Sequence, residues 1–235
     1  MILLALAIAP GLVISLYIFY KDTYNAEPTR YLLISFILGA MMVIPAGLIE
    51  QTVTPFFSDR ISSIAAYSYL GVGFTEEFLK FLVLRYYAFN KKSFDEPLDG
   101  IVYSVIAGMG FATLENIMYV TSMGLSTALL RMVLSVPAHA TFAVLMGYHA
   151  GKAKFSSSGR FLHLLCGLCL AVFFHGTFDF FLFLRRSPQV QPFISEGLLF
   201  LGAVASFIVA LRLSRRQIEE HRLQSQQTYN STHRV

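Results

Sequence analysis

Between Met1 and Tyr20 the chain carries no charged side chain, and between Tyr31 and Ile49 it again carries none. At about 1.5 Å per residue, each run reaches across a hydrocarbon layer about 30 Å thick. In lipid every backbone N–H and C=O must be bonded within the chain, which leaves helices as the form for such runs. Composition agrees, since 55% of the residues are hydrophobic and 14% are charged, against about 25% charged in a soluble domain. An ordinary soluble globule is excluded. The first run lacks a basic flank, exceeds a signal-peptide core in length and is followed at once by a second span, so it reads as an anchor that stays.

Seven apolar stretches lie near residues 1–20, 31–50, 64–88, 100–120, 131–150, 161–184 and 193–212. The expected fold is an all-α polytopic membrane protein of about seven transmembrane helices, within a range of six to eight. Residues 1–213 form a single transmembrane domain, and residues 214–235 form a polar, basic tail expected to fray or to lie on the membrane surface. Pro28, Pro55, Pro97 and the serines at 156–158 mark connections too short to be domains. With the N-terminus outside, thirteen of the eighteen Lys and Arg residues, the last of them Arg234, fall on the cytoplasmic side. Arg60, Arg131, Arg185 and Arg186 fall outside, and Lys80 lies within a span. That bias predicts an external N-terminus and a cytoplasmic C-terminus. The net charge of +4 thus reflects sidedness toward membrane lipids and calls for no nucleic-acid partner.

Charged side chains within spans cost several kcal/mol unless they face a polar interior, so each is a functional candidate. The third span contains Thr75-Glu76-Glu77-Phe78-Leu79-Lys80, the fourth Phe111-Ala112-Thr113-Leu114-Glu115-Asn116, the fifth His139 and the sixth His175-Gly176-Thr177-Phe178-Asp179. At i and i+4, Glu76 faces Lys80, with Glu77 turned about 100° away, and His175 shares a helix face with Asp179. Counted from the outer helix ends, Glu76 lies at about 16 Å, His139 at about 12 Å and Glu115 at about 8 Å, all in or near the outer half of the membrane. Similar depth on four helices predicts one water-filled site.

Polar residues also bind membrane helices to each other, and a Glu/Lys pair serves equally as a structural ion pair. His149 and His163 lie near helix ends where interfacial packing is expected, and Glu50 and Glu196 are read as solvated. Cys166 and Cys169 form Cys-x-x-Cys inside an apolar helix with no second pair, a poor context for redox or zinc chemistry.

Peptide hydrolysis within a membrane requires an activated water. A desolvated glutamate restrained by a lysine suits a general base; imidazoles suit either a metal that lowers the pKa of water or donation to an oxyanion. There is no His-Glu-x-x-His and no Gly-x-Ser-x-Gly. In order along the chain, Glu76-Glu77-x-x-Lys80, Phe111-x-x-x-Glu115-Asn116, His139 and His175-x-x-x-Asp179 resemble the PrsW family of intramembrane proteases. That family is a branch of the superfamily of CAAX prenyl proteases and bacteriocin-immunity proteins. The similarity runs over about residues 8 to 212 and takes in Ala9-Pro10-Gly11 and Asp95-Glu96-Pro97-Leu98-Asp99-Gly100.

The resemblance implies a bacterial cell-membrane peptidase making the first, site-1 cut in a single-pass anti-sigma factor during a stress response. That cut leads to release of an extracytoplasmic-function sigma factor. On this reading Glu76, Glu77 and His175 are catalytic, with Lys80, Asn116 and Asp179 in support. Glu115, His139, His175 and Asp179 either hold one zinc-like divalent metal or orient water and the oxyanion, and either Glu76 or Glu77 is the base. Asp95, Glu96 and Asp99 lie about 20 Å or more along the helix from the site and are expected to be structural or regulatory. Two other classes stand beside this one: a catalytically silent scaffold or immunity-type binding protein, and a proton-coupled transporter, which the lack of an inverted repeat disfavours.

Overall fold

A computed structural model describes residues 2–233; Arg234, counted above among the cytoplasmic charges, lies outside the described residues. The apolar runs form helices, as the demand for internally bonded backbone requires. They are α1 (Ile2–Lys21), α2 (Thr29–Met41) and α3 (Val43–Val53), then α4 (Ile61–Ala66) and α5 (Thr75–Leu82). There follow α6 (Pro97–Met123), α7 (Leu125–Val133), α8 (Ser135–Phe155), α9 (Arg160–Leu184) and α10 (Glu196–His233). Among the described residues, six segments are long and apolar enough to cross a membrane: 2–21, 29–56, 97–123, 125–155, 160–184 and 196–231. The seventh expected stretch, 64–88, is helical throughout but broken into turns of two widths. Tyr67–Phe74 and Val83–Ala88 are π-helical, flanking α5 on both sides. Such wide turns inside a helix concentrate at functional sites, and α5 carries Glu76, Glu77 and Lys80.

Helix α6 is the axis of the molecule. Its span is 78% buried, against 17% for α1 and 22% for α10, so the outer helices turn most of their apolar surface outward, as lipid-facing helices do. Close packing depends on small residues, because between membrane helices van der Waals contact replaces the hydrophobic effect. A Cβ on Gly110 would lie 1.9 Å from the Phe36 carbonyl oxygen, and one on Gly39 would lie 1.9 Å from that of Ala107. These two glycines seat α2 on α6.

Two expectations change. The fifth stretch is two helices: Gly124, at φ +82°, ends α6, and Leu134, at φ −124° and ψ −65°, separates the short α7 from α8. Within the described residues the tail is not frayed, since α10 continues as helix to His233. Ser214, Gln217, His221 and Ser225 are buried on its inner face, and His221 stacks on Tyr148 with ring centroids 4.3 Å apart. The polar composition of this segment arises from a one-in-four inner stripe and a charged outer face, a pattern that hydropathy alone reads as an unstructured tail.

Candidate active site

Five elements converge on one cluster. From α5, Lys80 Nζ donates to Glu76 Oε2 at 3.0 Å and to Glu77 Oε1 at 2.8 Å. Its third proton points to His139 Nδ1 on α8 at 3.1 Å. An ammonium has three donors and no lone pair, so His139 Nδ1 accepts and His139 carries its proton on Nε2. That Nε2 then donates to Glu115 Oε2 on α6 at 3.1 Å. Arg131, on α7, closes the chain by donating to Glu115 Oε2 at 2.6 Å and to Asn116 Oδ1 at 2.9 Å. Asn116 in turn donates to the Ala7 carbonyl of α1 at 2.9 Å.

On the other side, α9 brings His175 Nδ1 to 2.8 Å from Glu77 Oε1. A carboxylate only accepts, so Nδ1 bears the proton and Nε2 is turned toward Asp179 Oδ2 at 3.4 Å and Glu76 Oε2 at 3.9 Å. Phe142 stacks on the imidazole at 5.1 Å, which fixes its plane. Close approach of α9 depends on Gly176, whose Cβ would lie 2.4 Å from the Tyr69 ring. At the next residue, Thr177 and Tyr69 share a hydroxyl hydrogen bond of 2.7 Å.

The sequence placed Glu77 away from Lys80, but the lysine reaches both carboxylates, at i+3 and i+4. Its flexible stem puts the ammonium between the two helix faces. A cavity of about 720 Å³ opens beside the cluster, and Glu76, Glu115, His139, His175 and Asp179 line it, whereas Glu77 and Lys80 do not. Glu77 is 1% exposed and sits behind the imidazole. All eight candidate residues therefore meet in one connected network, with Asn116 at its far end as a tie to α1.

Three residues of this site escaped the sequence reading. Arg131, counted as an outer loop charge, is the partner of Glu115. Glu50, expected to be solvated, lines the cavity, because α3 runs on past it to Val53; the length of that apolar run was the available signal. Phe142 offered none, since one phenylalanine among twenty-two is silent until the helices are assembled. Cys166 and Cys169 are exposed on α9 and take no part.

The PrsW family intramembrane metalloproteases match residues 27–213 of the chain. The chain belongs to the PrsW family. It is 38% identical over 184 residues to the Protease PrsW of Geobacillus kaustophilus (strain HTA426), covering 78% of this chain and 81% of that protein. It is 37% identical over 182 residues to the Protease PrsW of Bacillus subtilis (strain 168), with 77% and 82% covered. Against the Protease PrsW of Clostridioides difficile (strain 630) the figures are 36% over 190 residues, with 78% and 80% covered. No solved structure matches. This PrsW-family chain is a peptidase, built as a multi-pass bacterial membrane protein.

The metal that the family description implies can be tested against the donors. One ligand atom each from Glu76, Glu77, His139 and His175 lies within 4.8 Å of the others. The Lys80 ammonium, however, stands among three of the four at 2.8–3.1 Å and occupies the lone pair of His139. The remaining nitrogen donor is His175 Nε2, which faces two carboxylates on the cavity side, while Glu77 orients the ring through Nδ1. A carboxylate–imidazole arrangement of this kind commonly stands behind a bound metal, and nitrogen with oxygen donors suits a zinc-like ion. The site fits a metal on the cavity side, and the buried side belongs to lysine.

Proposed function

We propose that this PrsW-family peptidase makes the first, site-1 cut in a single-pass membrane anti-sigma factor, with Glu76 as the general base. The observation that supports this assignment is the division of labour between two adjacent acids. Glu76 reaches the cavity beside His175 Nε2, whereas Glu77 is buried and committed to Lys80 and to the imidazole. The cavity volume lies within the usual range of ligand sites, about 300–1,000 Å³, and suits an unwound stretch of a substrate segment.

In the cut, Glu76 removes a proton from a water molecule in the cavity as the water oxygen bonds to the scissile carbonyl carbon, and the carbonyl electron pair moves onto its oxygen. On collapse the C–N bond breaks, and the proton held by Glu76 passes to the leaving nitrogen. Lys80 holds Glu76 in place through its hydrogen bond. Glu77 fixes His175 so that Nε2 faces the reacting atoms, and Asp179 stabilises positive charge there. His175 and Asp179 would hold a zinc-like metal, which would polarise the carbonyl and acidify the water. His139, held between Lys80 and Glu115, positions those two groups and is not a ligand in this arrangement.

The test is co-expression with a tagged single-pass anti-sigma factor from the same genome, with the tag read by blot. The wild type is expected to yield a shorter product, which Glu76→Gln abolishes while inserting normally. A trimmed product of wild-type intensity from Glu76→Gln removes this residue from the base role. Absence of trimming by the wild type with every such substrate transfers weight to a silent binding protein.

A further inference from the structure

At the other end of α6 lies a second buried acidic cluster that takes no part in peptide cleavage. Asp99 is separated from Glu115 by sixteen residues of continuous helix, about 24 Å. Asp22 follows α1, Glu27 lies in the connection to α2, and Glu96 and Asp99 open α6; these four residues are between 0% and 4% exposed. Among the described residues no lysine or arginine forms an ion pair with any of them; Lys154, the cation whose charge bears on Asp99, donates instead to the Phe89 carbonyl.

Part of three of these carboxylates is accounted for. Asp99 Oδ2 accepts the N–H groups of Asp95 and Glu96, both at 2.8 Å. Asp22 Oδ2 accepts the Glu27 N–H at 3.0 Å, and Glu27 Oε2 accepts the Tyr103 hydroxyl. The second oxygen of every one has no partner: Asp22 Oδ1, Glu27 Oε1, Glu96 Oε1 and Asp99 Oδ1 are all buried and unbonded. A fifth group, not an acid, repeats the pattern from α10. Ser225 is 0% exposed, its hydroxyl is turned toward Glu96, and no hydrogen bond of full geometry satisfies it.

Buried carboxylates without counter-charge are costly, and orphaned oxygens add to that cost. A cation among them would meet the orphaned oxygens and offset that cost. One oxygen each from Asp22, Glu96 and Asp99 lies within 4.8 Å of the others. That is the span across a single ion bonded at about 2.4 Å, in the range of calcium–oxygen distances. There is no imidazole or thiolate among these donors, which disfavours zinc and favours a hard cation.

We propose that this cluster binds one hard divalent cation, calcium or magnesium, through Asp22, Glu96 and Asp99, with Glu27 and Ser225 completing the oxygen set. The ion ties the end of α1 and the start of α6 to the last turns of α10. It is a structural clasp remote from the peptidase site, and it adds to the Tyr148–His221 stacking that holds the polar part of α10 against the bundle.

The full chain is purified in detergent and dialysed at neutral pH against calcium or magnesium chloride. Bound metal and the thermal unfolding midpoint are then measured for the wild type, Asp22→Asn, Ser225→Ala and Glu76→Gln. The wild type is expected to take up about one equivalent and to unfold at a higher temperature with the ion, by mass action. Asp22→Asn should weaken binding about tenfold or more, since affinity follows ligand charge, and Ser225→Ala should weaken it less. Glu76→Gln should bind as the wild type does, which separates this ion from any metal at the peptidase site. Failure of the wild type to bind either ion, or undiminished binding by Asp22→Asn, overturns the proposal. Should Asp22→Asn not fold, the wild-type stoichiometry together with Ser225→Ala decides, and undiminished binding by Ser225→Ala removes α10 from the clasp.

Discussion

Three acceptors crowd one ammonium: Glu76 Oε2, Glu77 Oε1 and His139 Nδ1 all lie within 3.1 Å of Lys80 Nζ. Each is buried, so removing the lysine leaves two carboxylates facing each other without counter-charge. Lys80→Met should therefore destabilise the protein by about 3–5 kcal/mol, the usual cost of breaking a buried pair, read as a lower unfolding midpoint in detergent. Glu76→Gln and Glu77→Gln should both lower cleavage, the former by about 10²–10⁴-fold as befits a lost general base. The two differ in a second readout. Glu77→Gln replaces the carboxylate that accepts the His175 Nδ1 proton with a weaker amide acceptor, so the imidazole NMR signals should shift, whereas Glu76→Gln should leave that bond unchanged. Unchanged imidazole signals in Glu77→Gln would argue against its orienting role.

At the scale of elements, the site depends on α9 lying against the π-helical turn Tyr67–Phe74. Gly73 and Gly176 make that approach: a Cβ on Gly73 would lie 3.2 Å from the Gly176 nitrogen, and one on Gly176 would lie 2.9 Å from the Tyr69 Cα. Backbone on one side of each contact cannot yield by rotating a side chain. Gly176→Ala should therefore push α9 outward and move His175 away from Glu77. Displacement of about 1 Å is enough to cost about 10²-fold in rate. Cleavage by Gly176→Ala should fall to that extent while its helical circular dichroism and size-exclusion profile stay unchanged. A fully active Gly176→Ala would show that the helices have slack there.

At the scale of the whole molecule, the charge bias predicts that a reporter fused after Val235 lies in the cytoplasm. A fluorescent protein fused there should glow, and alkaline phosphatase should be inactive; the opposite pair of results would invert the topology and with it the side of the cut. Metal removal belongs to the same scale. A zinc chelator should reduce cleavage by the purified enzyme, and zinc should restore it. His175→Ala should lose that bound metal by elemental analysis, while Glu115→Gln, whose side chain faces Arg131 and His139, should retain it.

What was legible in the sequence follows from the solvent. Lipid forbids unbonded backbone and uncompensated charge, so two charge-free runs were enough for an all-helical membrane fold, and Glu76, Glu77, Lys80, Glu115, His139, His175 and Asp179 stood out because they were in the wrong place energetically. Their order along four helices carried the family. The helical period alone could not rank the two glutamates, because the reach of a lysine stem and the wide turns flanking α5 override a 100° step. Nor could it find Arg131, whose neighbour Glu115 is distant in space until Gly124 and Leu134 bend the chain back, or the inward face of α10, which is polar by composition and buried by contact. Spacing along one helix is local information, whereas partner choice between helices depends on crossing points set by glycine contacts such as Gly110 with Phe36. Which oxygens face a cavity, which face a lysine and which face nothing was therefore decided only by the tertiary structure.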